Sequence, residues 1–154
     1  MTRSQEHVNA RLQEFQETCK RMGLKVTHQR LEIFKAVVVT DEHPDAVTVH
    51  KRVKKKIPTI SLDTVYRNLN TLAERGVLEI VGTSREHLRF DANLCQHHHF
   101  ICVECGAIKD FTSEVLTGLS IPEEAKAFGM PLSLQVEVKG VCADCRKRAV
   151  RKNG

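Results

Sequence analysis

The sequence has no apolar run of about 18 residues, which is the length that a membrane-spanning helix needs. Its first residues, Met1 to Arg11, are polar and lack the apolar segment of a secretory signal. The H-E-x-x-H helix of zinc hydrolases is missing, and so is the H-x-E with P-C-x-x-C pattern of zinc deaminases. These absences argue against a membrane protein, an exported protein and a metalloenzyme. They predict a cytoplasmic protein that is not an enzyme.

Positive charge is concentrated in the first part of the chain. The net charge is +5, and residues 1–90 contain 16 Lys and Arg against 11 Asp and Glu, whereas the rest of the chain contains 8 of each. An excess of basic residues in one segment is typical of a surface that meets a polyanion. A basic surface that is merely solvated would have the same composition, so charge alone leaves both interpretations open.

The first part of the sequence predicts four helices. Apolar residues recur at helical spacing from Val8 to Met22, and Gly23 ends this helix. Three later helices each follow a residue whose side chain can cap an N-terminus: Thr27, Asp45 and Ser61. Pro58 follows the third helix, and Gly76 follows the fourth, whose apolar residues all lie on one stripe.

A hairpin is predicted directly after the fourth helix. Two short extended runs, Val77–Val81 and His87–Asp91, flank the turn sequence Gly82-Thr83-Ser84. Three helices, a further capped helix and a hairpin indicate a winged helix-turn-helix domain, with the fourth helix as recognition helix. Its polar side chains can contact bases and phosphates. The predicted DNA-binding set on this helix is Ser61, Thr64, Tyr66, Arg67, Asn68 and Thr71.

The second part of the chain changes period. Apolar and polar residues alternate over Leu132–Lys139, which predicts a half-buried strand, and residues 99–103 and 107–111 also read as extended. A helical stretch, Ser113–Phe128, is interrupted by Pro122. The segment is therefore predicted to be α+β. A domain this small usually needs a crosslink or a partner to be stable.

Four of the six cysteines form two C-x-x-C pairs: Cys102, Cys105, Cys142 and Cys145. Each pair aims two sulfurs at one point, and two pairs complete a closed tetrahedral site for structural Zn(II). A redox-active C-x-x-C is the alternative, but it needs a βαβ setting. Cys19 and Cys95 are predicted to pack as small apolar residues, although Cys95 could instead act in thiol sensing.

Three adjacent histidines stand beside the first cysteine pair. In a strand, His97 and His99 point to one face and His98 to the other. Two imidazoles on one face form a clamp with two nitrogen ligands, so this segment predicts a second metal site. A solvated polar strand is the alternative interpretation.

Several motifs in order resemble the ferric-uptake-regulator family: HPDAVTVHKRVKKKIPTISLDTVYRNLNTLAERGVL, LRFD, HHHFICVECGAIKDF and GVCADC. The resemblance runs from Gly23 to Cys145. It implies a homodimeric repressor that binds double-stranded operator DNA. It also implies a winged-helix DNA-binding domain over residues 1–90, a hinge over 91–96, and a dimerisation and metal-binding domain over 97–154.

The resemblance also implies roles for individual residues. Structural zinc falls on the four paired cysteines, and Lys25 is expected in the minor groove while Tyr66 and Arg67 face bases. A regulatory site for Fe(II) or Mn(II) is implied at five residues: His43, Asp91, His97, His99 and Asp110. Because these ligands come from both domains, one ion could engage all of them only if the domains close, which would set the spacing of the recognition helices.

The peroxide-sensing branch of the family is the most similar, because both carboxylate positions, Asp91 and Asp110, are aspartate. Iron-uptake regulators typically have glutamate at both, and zinc-uptake regulators a cysteine at the first. The resemblance then implies that iron-dependent oxidation of His43 or His97 by peroxide lifts repression. Arg67 departs from this branch, which can have asparagine there. An iron- or manganese-responsive uptake regulator and a zinc-containing DNA-binding protein without sensing remain alternatives.

Overall fold

The computed structural model describes residues 3–82, 88–132 and 134–152. They belong to two compact units, Met1–Leu94 and Cys95–Gly154. The first unit is helical and ends in a two-stranded hairpin, and the second contains a three-stranded sheet with short helices. None of the helices in the described part of the chain is long and apolar enough to cross a membrane.

Four helices form most of the first unit: α1 (Gln5–Arg21), α2 (His28–Val38), α3 (Ala46–Lys54) and α4 (Leu62–Glu74). The predicted caps are confirmed, because the side chains of Thr27, Asp45 and Ser61 each accept the backbone N–H three residues later, at 3.2, 2.7 and 3.1 Å. Helix α1 stops before Gly23 and α4 before Gly76, with φ of +65° and +68°. Glycine adopts this left-handed conformation without strain, so it ends a helix efficiently.

One apolar core joins the four helices. The rings of Phe15 on α1 and Phe34 on α2 stack with centroids 4.2 Å apart. On α4, Leu69 and Leu72 are fully buried, as the apolar stripe predicts. Leu62 was predicted in the same stripe but is 36 % exposed, because it is the first residue of α4 and lies at the end of the packed surface.

The predicted hairpin is confirmed as an antiparallel pair of β1 (Glu79–Val81) and β2 (Arg89–Asp91). Residues 77 and 78 precede the first strand rather than belonging to it, yet both are buried. Phe90 of β2 is buried in the same core as the helices, which attaches the hairpin to the helical part. Three of the predicted hairpin residues lie outside the described part of the chain: Thr83, Ser84 and His87.

The second unit contains a sheet with the strand order β4-β3-β5. Its elements are β3 (His98–Cys102), β4 (Ile108–Phe111), α5 (Glu114–Thr117), α6 (Glu123–Lys126), β5 (Glu137–Gly140) and α7 (Ala143–Lys152). Strand β3 pairs antiparallel with β4 and parallel with β5. The extended segments predicted near residues 99–103 and 107–111 are confirmed, and the predicted helical stretch is two helices of four residues each.

The strand predicted over Leu132–Lys139 is wrong in its first half. Among the described residues of this stretch, only Glu137 to Gly140 form a strand, and Leu132 is 88 % exposed rather than half-buried. The parallel register explains the difference, because Glu137 lies opposite His99 and β3 begins one residue earlier. The described residues before position 136 therefore lie beyond the end of β3, the strand with which β5 pairs.

Leu69→Ala tests the core assignment of α4. The cavity that it leaves should lower the free energy of unfolding by about 2–5 kcal/mol, as for other buried leucines. Leu62→Ala on the same helix is the matched control and should cost about 1 kcal/mol or less, because that side chain already meets solvent. Urea unfolding of the zinc-loaded chain, followed by far-UV circular dichroism, measures both. Equal losses would contradict the packing described here.

Candidate functional site

The two C-x-x-C pairs meet at one end of the sheet because of strand register. Cys102 ends β3 and lies opposite Gly140 of β5, two residues before Cys142. The backbone N–H of Val103 donates to the carbonyl of Gly140 at 2.9 Å, which continues the pairing past the strand. A Cβ atom at Gly140 would lie 3.1 Å from the Phe100 ring, so glycine permits the close approach of the two strands.

Each cysteine pair forms a tight turn with backbone N–H groups near its sulfurs. In the first turn, Gly106 has φ of +71° and its N–H donates to the carbonyl of Cys102 at 2.9 Å. The second pair begins α7, where the N–H of Cys145 points at Cys142 Sγ at 3.5 Å. The N–H of Cys142 in turn donates to Cys102 Sγ at 3.2 Å, which joins the two turns. Such donors favour thiolates, the form that binds zinc.

The four sulfurs have the spacing of a tetrahedral zinc site. All lie within 4.8 Å of one another, and Cys105 Sγ and Cys142 Sγ are 3.8 Å apart. Zinc–sulfur bonds of about 2.3 Å in a tetrahedron place sulfurs about 3.8 Å apart. The residues present therefore fit structural zinc, and the site provides no open position for a substrate.

The pKa values of these thiols reflect their local contacts. Backbone hydrogen bonds from Cys142 and Cys105 lower the pKa of Cys102 to about 6. Desolvation is the larger cause, and hydrogen bonds with the Cys105 and Cys142 thiols the smaller one, that together raise the pKa of Cys145 to about 12. One thiolate therefore forms easily, whereas full ionisation of the set needs a cation that offsets the concentrated negative charge.

Arg148 is a neighbour of the zinc site that the cysteine spacing does not reveal. It lies one turn after Cys145 on α7, and its guanidinium donates to Cys145 Sγ at 2.9 Å. A cationic donor at a thiolate orients that ligand and disperses its charge. The i, i+3 spacing on a helix is the signal that could have identified it.

The first unit brings two predicted regulatory ligands together. His43 Nε2 lies 3.2 Å from Asp91 Oδ2, and these residues are only 2 % and 3 % exposed. The backbone N–H of Asn93 donates to Asp91 Oδ1 at 2.8 Å, which fixes the carboxylate. A buried imidazole and carboxylate held at this distance form one half of a nitrogen and oxygen ligand set.

The second unit brings the other three ligands together at the start of β3. His97 Nε2 and His99 Nε2 are 2.9 Å apart, and Asp110 Oδ1 lies 3.7 and 3.6 Å from them. Asp110 reaches this position because it pairs with His99 across the β3–β4 ladder. His97 Nδ1 lies 2.6 Å from the carbonyl of Cys95, so it donates its proton there and leaves Nε2 to bind a cation.

The middle histidine is on the opposite face, as the strand pattern predicts. His98 is 2 % exposed, and its ring packs at a tilt against Phe111 with centroids 5.6 Å apart. His98 therefore packs against the sheet and does not join the pair of imidazoles formed by His97 and His99.

Three of the six predicted DNA-binding residues of α4, Ser61, Tyr66 and Arg67, are exposed, and the other three are partly buried. Tyr66 is 41 % exposed. The side chain of Arg67 bonds to the residue one helical turn earlier, because its Nε donates to Asp63 Oδ2 at 2.9 Å. The hydroxyls of Ser61 and Thr64 are 2.8 Å apart at the start of the helix.

Asn68 differs from its neighbours because its amide also bonds to a side chain of another helix, α2. Its Nδ2 donates to the carbonyl of Thr64 at 2.8 Å, and its Oδ1 accepts from Arg30 Nε at 3.1 Å. The same guanidinium donates to the carbonyl of Lys25. Arg30, which sequence reasoning missed, thus links the predicted minor-groove residue to the recognition helix.

The profile of the Ferric uptake regulator family matches residues 21–131, well over half of the chain. The chain belongs to the ferric uptake regulator family. The matched segment contains all of α4 and the five predicted regulatory ligands, and Cys142 and Cys145 follow it.

Within the family, the chain is similar to regulators named for peroxide. It is 35 % identical over 140 residues to the peroxide operon regulator of Bacillus subtilis (strain 168). The matched segment covers 89 % of this chain and 94 % of the relative. It is 28 % identical over 148 residues to the peroxide-responsive repressor PerR of Staphylococcus epidermidis, which covers 96 % and 98 %. A solved Campylobacter jejuni peroxide stress regulator superposes with a TM-score of 0.66 at 32 % identity, over 84 % of this chain and 97 % of that structure.

Removal of one zinc ligand tests the cysteine site. Cys105→Ser should reduce bound zinc from about one ion per chain to nearly none and lower the midpoint of thermal unfolding, because structural zinc binding contributes folding free energy. Cys95→Ser is the matched control, since Cys95 is exposed and lies outside the four-sulfur cluster. Zinc content by mass spectrometry and differential scanning calorimetry give the two readouts. Full zinc retention in Cys105→Ser would rule out the assigned site.

Proposed function

We propose that this chain is a cytoplasmic, homodimeric repressor that binds double-stranded operator DNA, requires a regulatory Fe(II) or Mn(II), and senses peroxide when iron is bound. It is not an enzyme, and peroxide acts as its signal rather than as its substrate. The observation that carries the proposal is the pair of half sites made from histidine and aspartate, one in each unit. Similarity to repressors named for peroxide in Bacillus and Staphylococcus supports it.

The regulatory ion is proposed to bind all five ligands: His43, Asp91, His97, His99 and Asp110. Three imidazoles and two carboxylates form a mixed set that suits Fe(II) and Mn(II). Ligands from both units would make metal binding favour one arrangement of the winged helix relative to the dimerisation domain. In a dimer, that arrangement would set the separation of the two recognition helices and thereby the affinity for a two-fold operator.

Peroxide sensing is proposed to act on the ligand imidazoles. Bound Fe(II) would supply the redox chemistry that splits the oxygen–oxygen bond of peroxide. In the overall reaction, the ring of His43 or His97 would take one oxygen atom of peroxide, and the other would leave as water. An oxidised imidazole binds metal weakly, so the DNA-binding arrangement would be lost. Asp110 has a shorter side chain than glutamate, which would leave one coordination position accessible to peroxide.

Operator contacts are proposed for the exposed end of α4 and the loop before α2. Tyr66 and Arg67 would face bases, Lys25 would enter the minor groove, and residues near the helix start would bind phosphate. The full proposed set is Lys25, Ser61, Thr64, Tyr66, Arg67, Asn68 and Thr71. Asn68 would contribute through its bonds to Arg30, because both polar groups of its amide are occupied.

The second unit supports homodimer formation. Several large apolar side chains there are strongly exposed, including Phe128 at 93 %, Met130 at 84 % and Val115 at 79 %. Exposed apolar groups at this density mark a surface that a partner covers. A second copy of the same domain is the partner that the family assignment favours, and its contacts would supply the core that the small sheet lacks.

Oxidation of a ligand tests peroxide sensing directly. The zinc-loaded chain is loaded anaerobically with Fe(II) or Mn(II), and near-stoichiometric peroxide is then added. Only the iron sample should gain one oxygen on the His43 or His97 peptide and lose operator binding, because manganese does not cleave peroxide in this way. Peptide mass spectrometry and fluorescence anisotropy measure the two effects. Unmodified histidines with retained binding would instead favour an iron- or manganese-responsive uptake regulator, to which Arg67 is better suited.

Asp110→Glu tests the role of carboxylate length. The longer side chain should preserve metal-dependent operator binding while it fills the position open to peroxide, so histidine oxidation should slow at least several-fold. Asp144→Glu is the matched control, since it makes the same change on α7, outside the proposed ligand set. Equal oxidation rates in wild type and Asp110→Glu would refute the argument from aspartate.

A further inference from the structure

His43 has an unusual backbone conformation. Its φ is +52°, and it is the only non-glycine residue with positive φ among those that the structure describes. A side chain with a Cβ atom disfavours this left-handed region, so surrounding contacts must hold it there. Positive φ at a proposed metal ligand therefore raises the question of which group holds the segment.

Arg89 is the side chain that holds it. Its guanidinium donates to the carbonyl of His43 and, at 2.7 Å, to the carbonyl of Glu42. The Glu42 carbonyl belongs to the peptide group before the His43 Cα, and the His43 carbonyl belongs to the peptide group after it. The two hydrogen bonds therefore hold both peptide groups that flank the strained residue. A planar guanidinium with several donors in fixed geometry suits such a pair of acceptors, whereas a lysine ammonium cannot match it.

The backbone of β2 continues the attachment. The N–H of Phe90 donates to the carbonyl of Pro44 at 3.1 Å, and Asp45 forms an isolated antiparallel bridge with Arg89. Asp45 also caps α3 through the N–H of Thr48 at 2.7 Å. The segment that carries His43 is thus fastened to β2 on one side and to α3 on the other.

The same strand carries the partner of His43. Arg89 and Asp91 are two residues apart on β2, and Asp91 Oδ2 meets His43 Nε2 at 3.2 Å. One short strand therefore supplies both a ligand and the group that orients the opposing ligand.

We propose that Arg89 is a positioning residue for the regulatory metal site, because it holds His43 in its left-handed conformation and thereby keeps the imidazole next to Asp91. The inference rests on the proposed function, in which His43 and Asp91 bind the regulatory ion. Without Arg89 the segment relaxes toward an ordinary backbone conformation, the imidazole turns away, and the ion loses a ligand. Loss of a group that orients a metal ligand typically weakens metal affinity by about 10–100-fold.

Arg52 provides a matched control in the same unit. It also donates to a backbone carbonyl, that of Ala36 at 3.0 Å, and it approaches the Glu42 carboxylate at 3.5 Å. Among the described residues, Arg52 donates no hydrogen bond to the backbone of His43 or Pro44. If Arg89 acted only through general stability of the first unit, removal of either arginine would have a similar effect on metal binding.

The experiment measures Mn(II) affinity of the full-length, zinc-loaded chain by electron paramagnetic resonance of the free ion, with thermal unfolding in parallel. Arg89→Met should raise the Mn(II) dissociation constant about 10–100-fold, and Arg52→Met should change it less than about threefold. Arg89→Lys, which keeps the charge but lacks the planar arrangement of guanidinium donors, should give an intermediate value and serves if Arg89→Met does not fold. In a His43→Ala background, Arg89→Met should add little, because the ligand that it positions is already gone.

The outcomes separate the inference from the proposed function. If wild type binds Mn(II) but Arg89→Met and Arg89→Lys bind it equally well, the positioning role is wrong while the metal site stands. An undiminished effect of Arg89→Met in the His43→Ala background, or an equal effect of Arg52→Met, would also overturn it. Wild type that binds no Mn(II) would overturn the proposed function itself, and the inference with it.

Discussion

The parallel pairing of β5 with β3 is the contact on which the second unit depends. Parallel neighbours cannot be joined by a tight turn, so the chain from β4 to β5 must cross over the sheet. In this unit the crossover contains two very short helices and exposed apolar residues, and it contributes little core. The four sulfurs at the ends of β3 and β5 compensate, because a metal crosslink fixes the register where packing does not.

The two metal-binding regions of this unit share one strand. Cys102 ends β3, and His99 lies near its beginning, where it pairs with Asp110 of β4. The turn that joins β3 and β4 contains the first cysteine pair, so the zinc site also closes the ladder that aligns Asp110 with the histidines. The zinc site therefore lies at the end of the same ladder that brings the three proposed regulatory ligands together.

The sequence was sufficient for features that depend on local spacing. The caps of α2, α3 and α4 and the four-cysteine cluster were predicted correctly, since both follow from residue types a few positions apart. The strand near Leu132 was placed wrongly, because alternation indicates a strand but contains no information about where its neighbour ends. The approach of His43 to Asp91 came only from family resemblance. Arg30 and Arg89 were missed because their distant partners, the Asn68 side chain and the carbonyls of Glu42 and His43, leave no periodic pattern.

The proposed ligands share one physical property, which is that their orientations are set by protein contacts. The imidazole of His97 is fixed through its Nδ1 by the carbonyl of Cys95, and His43 is fixed through its backbone by Arg89. In both residues Nε2 lies next to a carboxylate oxygen, at 3.2 Å from Asp91 for His43 and at 3.7 Å from Asp110 for His97. Preformed ligands reduce the ordering entropy lost on binding, so affinity can be high although the strained segment destabilises the metal-free chain. The same preformation makes release sensitive to chemical damage, because a fixed ligand that is oxidised has no alternative orientation from which to bind.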